Sequence, residues 1–439
     1  MMKLYRAAGW LLAAALCVQP ALAQVDPNVT GLPGITQRTT NEYVAVIQDG
    51  VRKVGTPSQV TSNVYAWNFK QSNTGKIRRA LMRLTWPVSA FRPSNNNPVL
   101  LHVGDSTTAG AAAGVFNTAT YAISYVNNSY PSRFGEQLAR RYGISVVDGY
   151  WGDRKQNGYD PRVTLGAGVV NNSGQISLSG YAINWGSSIT TTTAFDFTAA
   201  TNANQPSFDC ADIWHVQFNG GGTYTVNADG GATLTGGTIS TSNATGALAK
   251  ATVTGASLGT HVLNIARTTG GAVYIAGVVP RNCSLRQLIN VNAGRGGWKA
   301  SDYASTSNPW SPANAIAALA PEGTFINLGI NETAPVDWAA YKASIQVIID
   351  KAKLSGDVVL IVPHWVDTAT VPLATQQALS TAIYELATTN DLPVFDKQKL
   401  YVSRTQQSAD GYVYDTLHND YPDASLMGWA LEDALASPW

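Results

Sequence analysis

The sequence predicts an α/β protein: a three-layer domain on a five-stranded parallel sheet, interrupted by an all-β insertion. Three observations carry that reading. From residue 284 onward, short apolar runs alternate with amphipathic helical stretches, the pattern of parallel strands joined by crossover helices. One more strand and helix of the same kind occur earlier, within residues 96–145. Between them, residues 146–283 lose helical periodicity and alternate short strand-like runs with Gly, Asn and Thr turns, which argues for a β-sandwich.

The chain opens with Lys3 and Arg6, an apolar run over 7–18, and Ala21-Leu22-Ala23. This is the pattern of a secretory signal peptide over 1–23, and its apolar run is too short to span a bilayer. The expected location is therefore secreted or periplasmic, where disulfides form. Residues 24–95 read as an N-terminal β-rich segment. Within it, EYVAVIQDGVRKVG predicts a hairpin turning at Asp49-Gly50, and this short stretch resembles hairpins near the N-termini of phage tail proteins.

Next comes PVLLHVGDS, a buried strand. SYPSRFGEQLARRYG follows as a helix with Phe134, Leu138 and Tyr142 four apart on one face. Five runs make the insertion: ADIWHVQF, GTYTVNADGG, AKATVTG, THVLNIAR and GAVYIAGVV. After Cys283 the order is LRQLINVNAG as strand, SPANAIAALA as helix, TFINLGINE as strand and DWAAYKASIQVIIDKAKLSG as helix. DVVLIVPHW is the next strand, VPLATQQALSTAIYELATTN a helix, LPVFD the last strand and DASLMGWALEDAL the closing helix.

Composition narrows the partners. Lys plus Arg number 29 against 28 Asp plus Glu, with no basic cluster, so nucleic acid and anionic membranes are poor candidates and no stable membrane insertion is expected. The five histidines are scattered, without the spacing of a metal site, and no cofactor is indicated. Cys210 and Cys283 are the cysteines left after the signal peptide, and they flank the first and last strong strands of the insertion. A disulfide between them is expected.

In open parallel sheets functional groups gather at the carboxyl ends of the strands. The first strand ends at Gly104-Asp105-Ser106, the second in NAGRGG over 292–297, the third in GINE over 329–332 and the fourth at His364-Trp365. Asp415 and His418 follow the fifth, three apart. A hydroxyl, a glycine-rich loop, an amide and an Asp/His pair are the parts acyl transfer needs.

Gly104-Asp105-Ser106, Asn292 to Gly297, Gly329-Ile330-Asn331 and Asp415-x-x-His418, in that order, resemble the four blocks of the SGNH hydrolases of the GDSL esterase superfamily. The resemblance covers residues 98–145 and 284–439. It departs at Glu332, where the family usually has Asp, and at the long insertion. It implies a flavodoxin-like three-layer fold, Ser106 as nucleophile, His418 as general base and Asp415 orienting it. It also implies an oxyanion hole from the Ser106 and Gly297 N–H groups and the Asn331 amide. Trp298, His364 and Trp365 are candidates for lining the substrate pocket, and His102 reads as a core residue. GASLG over 255–259 matches a nucleophile elbow, but strands flank it where that motif needs a following helix, so Ser257 is read as a turn residue.

The insertion resembles carbohydrate-binding-type β-modules found in some of these esterases. Together these resemblances imply an exported esterase removing acyl groups, acetyl above all, from an acetylated polysaccharide or other glycan ester. A lipase or lysophospholipase of the same superfamily is the alternative within that chemistry. A glycan-binding or phage-derived structural protein is the alternative outside it. Trp185, Trp214, Tyr224 and Tyr274 are the insertion's aromatics available to sugar faces, unless they pack its core. The module is expected to recruit polymer, and replacing 150–280 by a linker is expected to spare hydrolysis of a small ester.

Overall fold

A computed structural model describes residues 44–48, 51–55, 71–85, 97–111, 128–152, 160, 162–171, 173–198, 207–332, 335–401 and 403–436. The signal peptide expected over 1–23 lies outside them.

Six parallel strands make the central sheet. Their spatial order is Val394–Asp396, Asp357–Val362, Gly323–Asn327, Val99–Gly104, Leu288–Asn292 and Val146–Asp148. Five strands are expected from the sequence, and the sixth, Val146–Asp148, corrects the boundary of the insertion. Three residues are too few to display a period, but all three are buried and pair in parallel with Leu288–Asn292. The strand order also departs from the flavodoxin order, because Leu288–Asn292, third in the chain, lies between the first and second strands. The consequence for the site is direct: Val99–Gly104 is flanked by Leu288–Asn292 on one side and Gly323–Asn327 on the other.

The strands are apolar along their length because both sheet faces are covered. Successive side chains point to opposite faces. Leu100 joins one core with Phe325 and Val359, under the helices Gly75–Thr85, Tyr130–Tyr142 and Tyr421–Ala436. Leu101 and Val103 join the other, under Pro312–Leu319, Trp338–Lys353 and Leu373–Asn390. The three layers are thus α/β/α.

The helix Gly75–Thr85 corrects the reading of 24–95 as β-rich. Ile77 and Leu81, four apart, bury against the sheet, and its first turn is capped from outside, where Asp357 Oδ2 accepts the Lys76 and Ile77 N–H groups at 2.5 and 3.0 Å. The expected hairpin is present, Val44–Gln48 against Val51–Gly55 with Gln48 opposite Val51.

All five strand-like runs of the insertion are strands. They belong to a ten-stranded antiparallel sheet running from Tyr150–Trp151 at one edge to Val163–Thr164 at the other. Thr233–Ser240 links its two halves, pairing with Gly222–Ala228 and with Ala247–Gly259. Inner side chains from both halves, such as Ile213, Val253, Tyr224 and Ile265, share one core. Cys210 and Cys283 are joined in a disulfide, with Cα atoms 5.9 Å apart.

The insertion does not hang free. Phe208–Gln217 is buried on both sides: Ala211 and Ile213 face the insertion's own core, while Trp214 and Val216 belong to the core that includes Ala315 and Ile316 of Pro312–Leu319. Ala247–Gly259 packs on that helix, and the nearby Trp310 donates its ring N–H to Gln175 Oε1 at 2.9 Å. Trp185, Trp214 and Tyr224 are all buried, so three of the four aromatics singled out for sugar contact are packing residues. Tyr274 is half-buried against Phe218.

Candidate active site

The apolar run of the first strand stops at Gly104, and Asp105 caps the short helix Ser106–Ala109. Asp105 Oδ1 accepts the Thr107 N–H at 2.9 Å and the Thr107 hydroxyl at 2.8 Å. Burial pushes the Asp105 carboxyl up to about 6, against those two hydrogen bonds. Ser106 is the first helical residue, so its N–H has no partner within the helix. The loop after Leu288–Asn292 passes close by: a Cβ on Gly294 would lie 2.1 Å from the Ala109 nitrogen. From the other neighbouring strand, the Asn327 amide donates to the Thr107 and Thr108 hydroxyls at 3.2 and 3.1 Å.

His418 Nε2 lies 2.9 Å from Ser106 Oγ. On the far side of the ring, Nδ1 is 2.9 Å from Asp415 Oδ2. Asp415 Oδ1 accepts the backbone N–H groups of Leu417 and His418 at 2.7 and 2.6 Å. Burial raises the Asp415 carboxyl, but the bonds from the His418 ring and from these N–H groups outweigh it, so it sits below the ordinary value. An ionised carboxylate requires Nδ1 to carry the proton, which leaves Nε2 as an acceptor for the Ser106 hydroxyl.

Gly297 has φ +77°, a conformation that favours glycine, and a Cβ there would meet nothing within 4 Å. The backbone conformation, not crowding, is what requires glycine. Asn331 Nδ2 donates to the Trp298 carbonyl at 3.0 Å. Glu332 Oε1 accepts the Ala300 N–H at 3.1 Å. Two consecutive residues of the third block therefore hold the loop that carries Gly297. The departure at Glu332 has a local role, capping the helix Ala300–Tyr303.

Ser106, His418 and Asp415 thus form one hydrogen-bonded chain, and Asn331 and Trp298 meet beside Gly297. Trp298 is half-buried, with its ring edge-on to Tyr303 at 4.8 Å. His364 lines a small cavity together with Thr107, Asn327, Lys397 and Asn419. It is 2 % exposed, burial and the nearby Lys397 charge hold its ring far below the ordinary histidine value, and Nε2 bonds the Leu417 carbonyl at 2.9 Å. Trp365 is half-buried, with its ring N–H on the Gln398 carbonyl at 3.1 Å. His102 is fully buried, as expected of a core residue. Ser257 lies in the strand Ala247–Gly259 rather than in a turn, with its carbonyl on His261 Nε2.

Sequence reading missed the hydrogen-bonding roles of Asn327 and of Glu332, marked only as a departure from the family pattern, and it missed Arg404. The first two sit within the matched strand ends, where their types already suggest hydrogen bonding, while nothing around Arg404 marks it. Among the described residues, the one grouping of metal-ligating side chains is Asp209, Cys210 and Cys283, whose thiols are joined in the disulfide. No helix among them is long and apolar enough to cross a membrane.

A peptidoglycan O-acetylesterase of known structure superposes with a TM-score of 0.59 over 84% of this chain and 97% of its own, at 14% identity. The chain has the fold of that esterase. The matched share exceeds what the residues outside 146–283 could supply, so the likeness runs into the β-rich insertion as well. An acetylxylan esterase from Geobacillus stearothermophilus matches 34% of this chain and 74% of its own, with TM-score 0.29 and 16% identity. A lipase/acylhydrolase from Enterococcus faecalis matches the same shares at TM-score 0.26 and 18% identity. No family model matches the sequence, and no curated protein matches it.

Proposed function

We propose that the protein is an exported serine esterase that removes acetyl groups from an O-acetylated glycan. The observation that carries this is the chain Ser106 Oγ–His418 Nε2–Asp415, with links of 2.9 and 2.9 Å, set at the carboxyl ends of the parallel strands. His418 takes the Ser106 proton as Oγ attacks the acyl carbon, and Asp415 holds the tautomer and stabilises the imidazolium. The negative charge gathering on the acyl oxygen meets the Ser106 and Gly297 N–H groups and the second amide hydrogen of Asn331. His418 then passes its proton to the departing sugar hydroxyl. Water, activated by the same imidazole, releases acetate from Ser106.

Export accords with the leader pattern over 1–23 and with the Cys210–Cys283 disulfide. The insertion is read as a carbohydrate-binding-like module that recruits the polymer. The structural neighbour that covers most of this chain is a peptidoglycan O-acetylesterase, which makes O-acetylated peptidoglycan the first glycan to test. Acetate release would be measured from O-acetylated peptidoglycan and acetylated xylan, beside p-nitrophenyl acetate and a long-chain p-nitrophenyl ester. The proposal expects acetate from at least one glycan and a preference for the short ester. A preference for the long chain would favour a lipase, and no hydrolysis of any ester would favour a structural protein.

A further inference from the structure

Arg404 heads the short helix Arg404–Ala409, between the last parallel strand and the Asp415–His418 loop. Its guanidinium donates to three acceptors: the Trp365 carbonyl at 3.0 Å, Asn419 Oδ1 at 2.7 Å, and the Asp415 carbonyl. Trp365 follows the fifth parallel strand, whereas Asp415 and Asn419 bracket His418. Two further donors act from the same side. The Asp367 N–H reaches the Thr416 carbonyl at 2.9 Å, and His364 Nε2 reaches the Leu417 carbonyl at 2.9 Å. Three consecutive loop carbonyls, those of Asp415, Thr416 and Leu417, are therefore each taken by a donor from outside the loop.

The loop needs such anchorage. Its one ladder contact is the bridge between Val413 and Asn419, and the Asp415 and His418 side chains are 43 and 20 % exposed. An exposed segment of this kind gains conformational freedom unless it is tied down. A guanidinium fork spanning three acceptors is a strong tie, because its hydrogen bonds are charge-assisted and its geometry is planar and fixed.

We propose that Arg404 is a positioning residue for this reaction, fastening both ends of the loop so that His418 Nε2 stays within hydrogen-bond reach of Ser106 Oγ. The inference rests on the reading of Ser106, His418 and Asp415 as the catalytic chain. Arg404 touches neither Ser106 nor the position of the acyl group, so its removal acts on turnover and not on substrate binding. Displacements of about 1 Å cost on the order of 10²-fold in rate. Lysine keeps the charge but cannot fork to three acceptors, so it restores only part of the function.

The test uses the full mature chain, as wild type, Arg404→Ala and Arg404→Lys. Two readouts are taken: kcat and KM for p-nitrophenyl acetate, and the far-downfield imidazole proton resonance of the Asp415–His418 hydrogen bond. The expected result for Arg404→Ala is a kcat lower by roughly 10²-fold with KM changed by no more than about twofold, and loss of the downfield resonance. Arg404→Lys should fall between, and it stands in by the same two readouts if the alanine variant does not fold. Unchanged kcat, or a fallen kcat with the resonance intact, would overturn the proposal. The resonance needs no substrate, so the brace is read even if the wild type hydrolyses no ester, an outcome that would sink the catalytic reading instead.

Discussion

In the proposed mechanism Ser106 reacts only while His418 presents an unprotonated Nε2, a tautomer that the Asp415 carboxylate on Nδ1 at 2.9 Å supports. At this scale the sequence was informative where a motif repeats a chemical requirement: Ser106, Asp415 and His418 meet as their types and order suggest. It was silent on Arg404, because a lone arginine ahead of a polar helix carries no pattern, and its three acceptors come together only in the fold. Asn331 already gives one amide hydrogen to the Trp298 carbonyl, so the other is the one available to an oxyanion. Asn331→Ala is expected to lower kcat for a small acetyl ester by roughly 10²–10³-fold, in steady-state kinetics, and a change under threefold would remove Asn331 from that role. His102 offers a pH test. Burial pushes its ring down to about 3, against the bond it donates to Asn290 Oδ1. Its folded value lies below the unfolded one, so its contribution is complete above the unfolded value of about 6.5 and is lost as pH falls from there toward about 3. The urea midpoint of the wild type should therefore fall more steeply between pH 6.5 and 4 than that of His102→Leu. Parallel slopes would contradict this.

Elements were legible mainly in proportion to their length. Leu373–Asn390 and Trp338–Lys353, 18 and 16 residues long, announce themselves by length. Val146–Asp148 is too short to do so, and the Gly75–Thr85 helix was masked by the hairpin read just before it. Thr233–Ser240 was missed for another reason: five of its eight residues are exposed, so it offers no clear alternation to read. The disulfide was legible from the cysteine count and the leader-like pattern over 1–23. It ties the strand Phe208–Gln217 to the chain re-entering the parallel sheet, closing a separation of 73 residues. In the chain-entropy account such a loop contributes up to about 4 kcal/mol. Cys283→Ser should lower the urea midpoint to match that of the wild type under reductant, and equal midpoints with and without reductant would show that the bond carries little.

Across the whole molecule, the parallel sheet and the insertion are one packed body, because Trp214 and Val216 lie in the same core as Ala315 and Ile316. Sequence alone suggested a module that could be cut away; pattern reveals that a strand has two apolar faces but not that its second face meets another domain. Large apolar side chains so placed stabilise by roughly 1.5–3 kcal/mol each, and exposing several together exceeds what a typical domain can lose. Replacing 150–280 by a linker is therefore expected to yield insoluble or unfolded protein, scored by near-ultraviolet circular dichroism, rather than a small active esterase. A folded, active product would show that the shared core is dispensable. The proposed function depends on the Ser106–His418–Asp415 chain as an ester-cleaving site. Its most direct measurement is the hydrolysis rate of p-nitrophenyl acetate by the wild type, Ser106→Ala, His418→Ala and the double variant. Each single change is expected to lower kcat by roughly 10⁴-fold or more, with the double variant no worse, since the two groups act as a unit. Near-normal turnover by folded Ser106→Ala would contradict it.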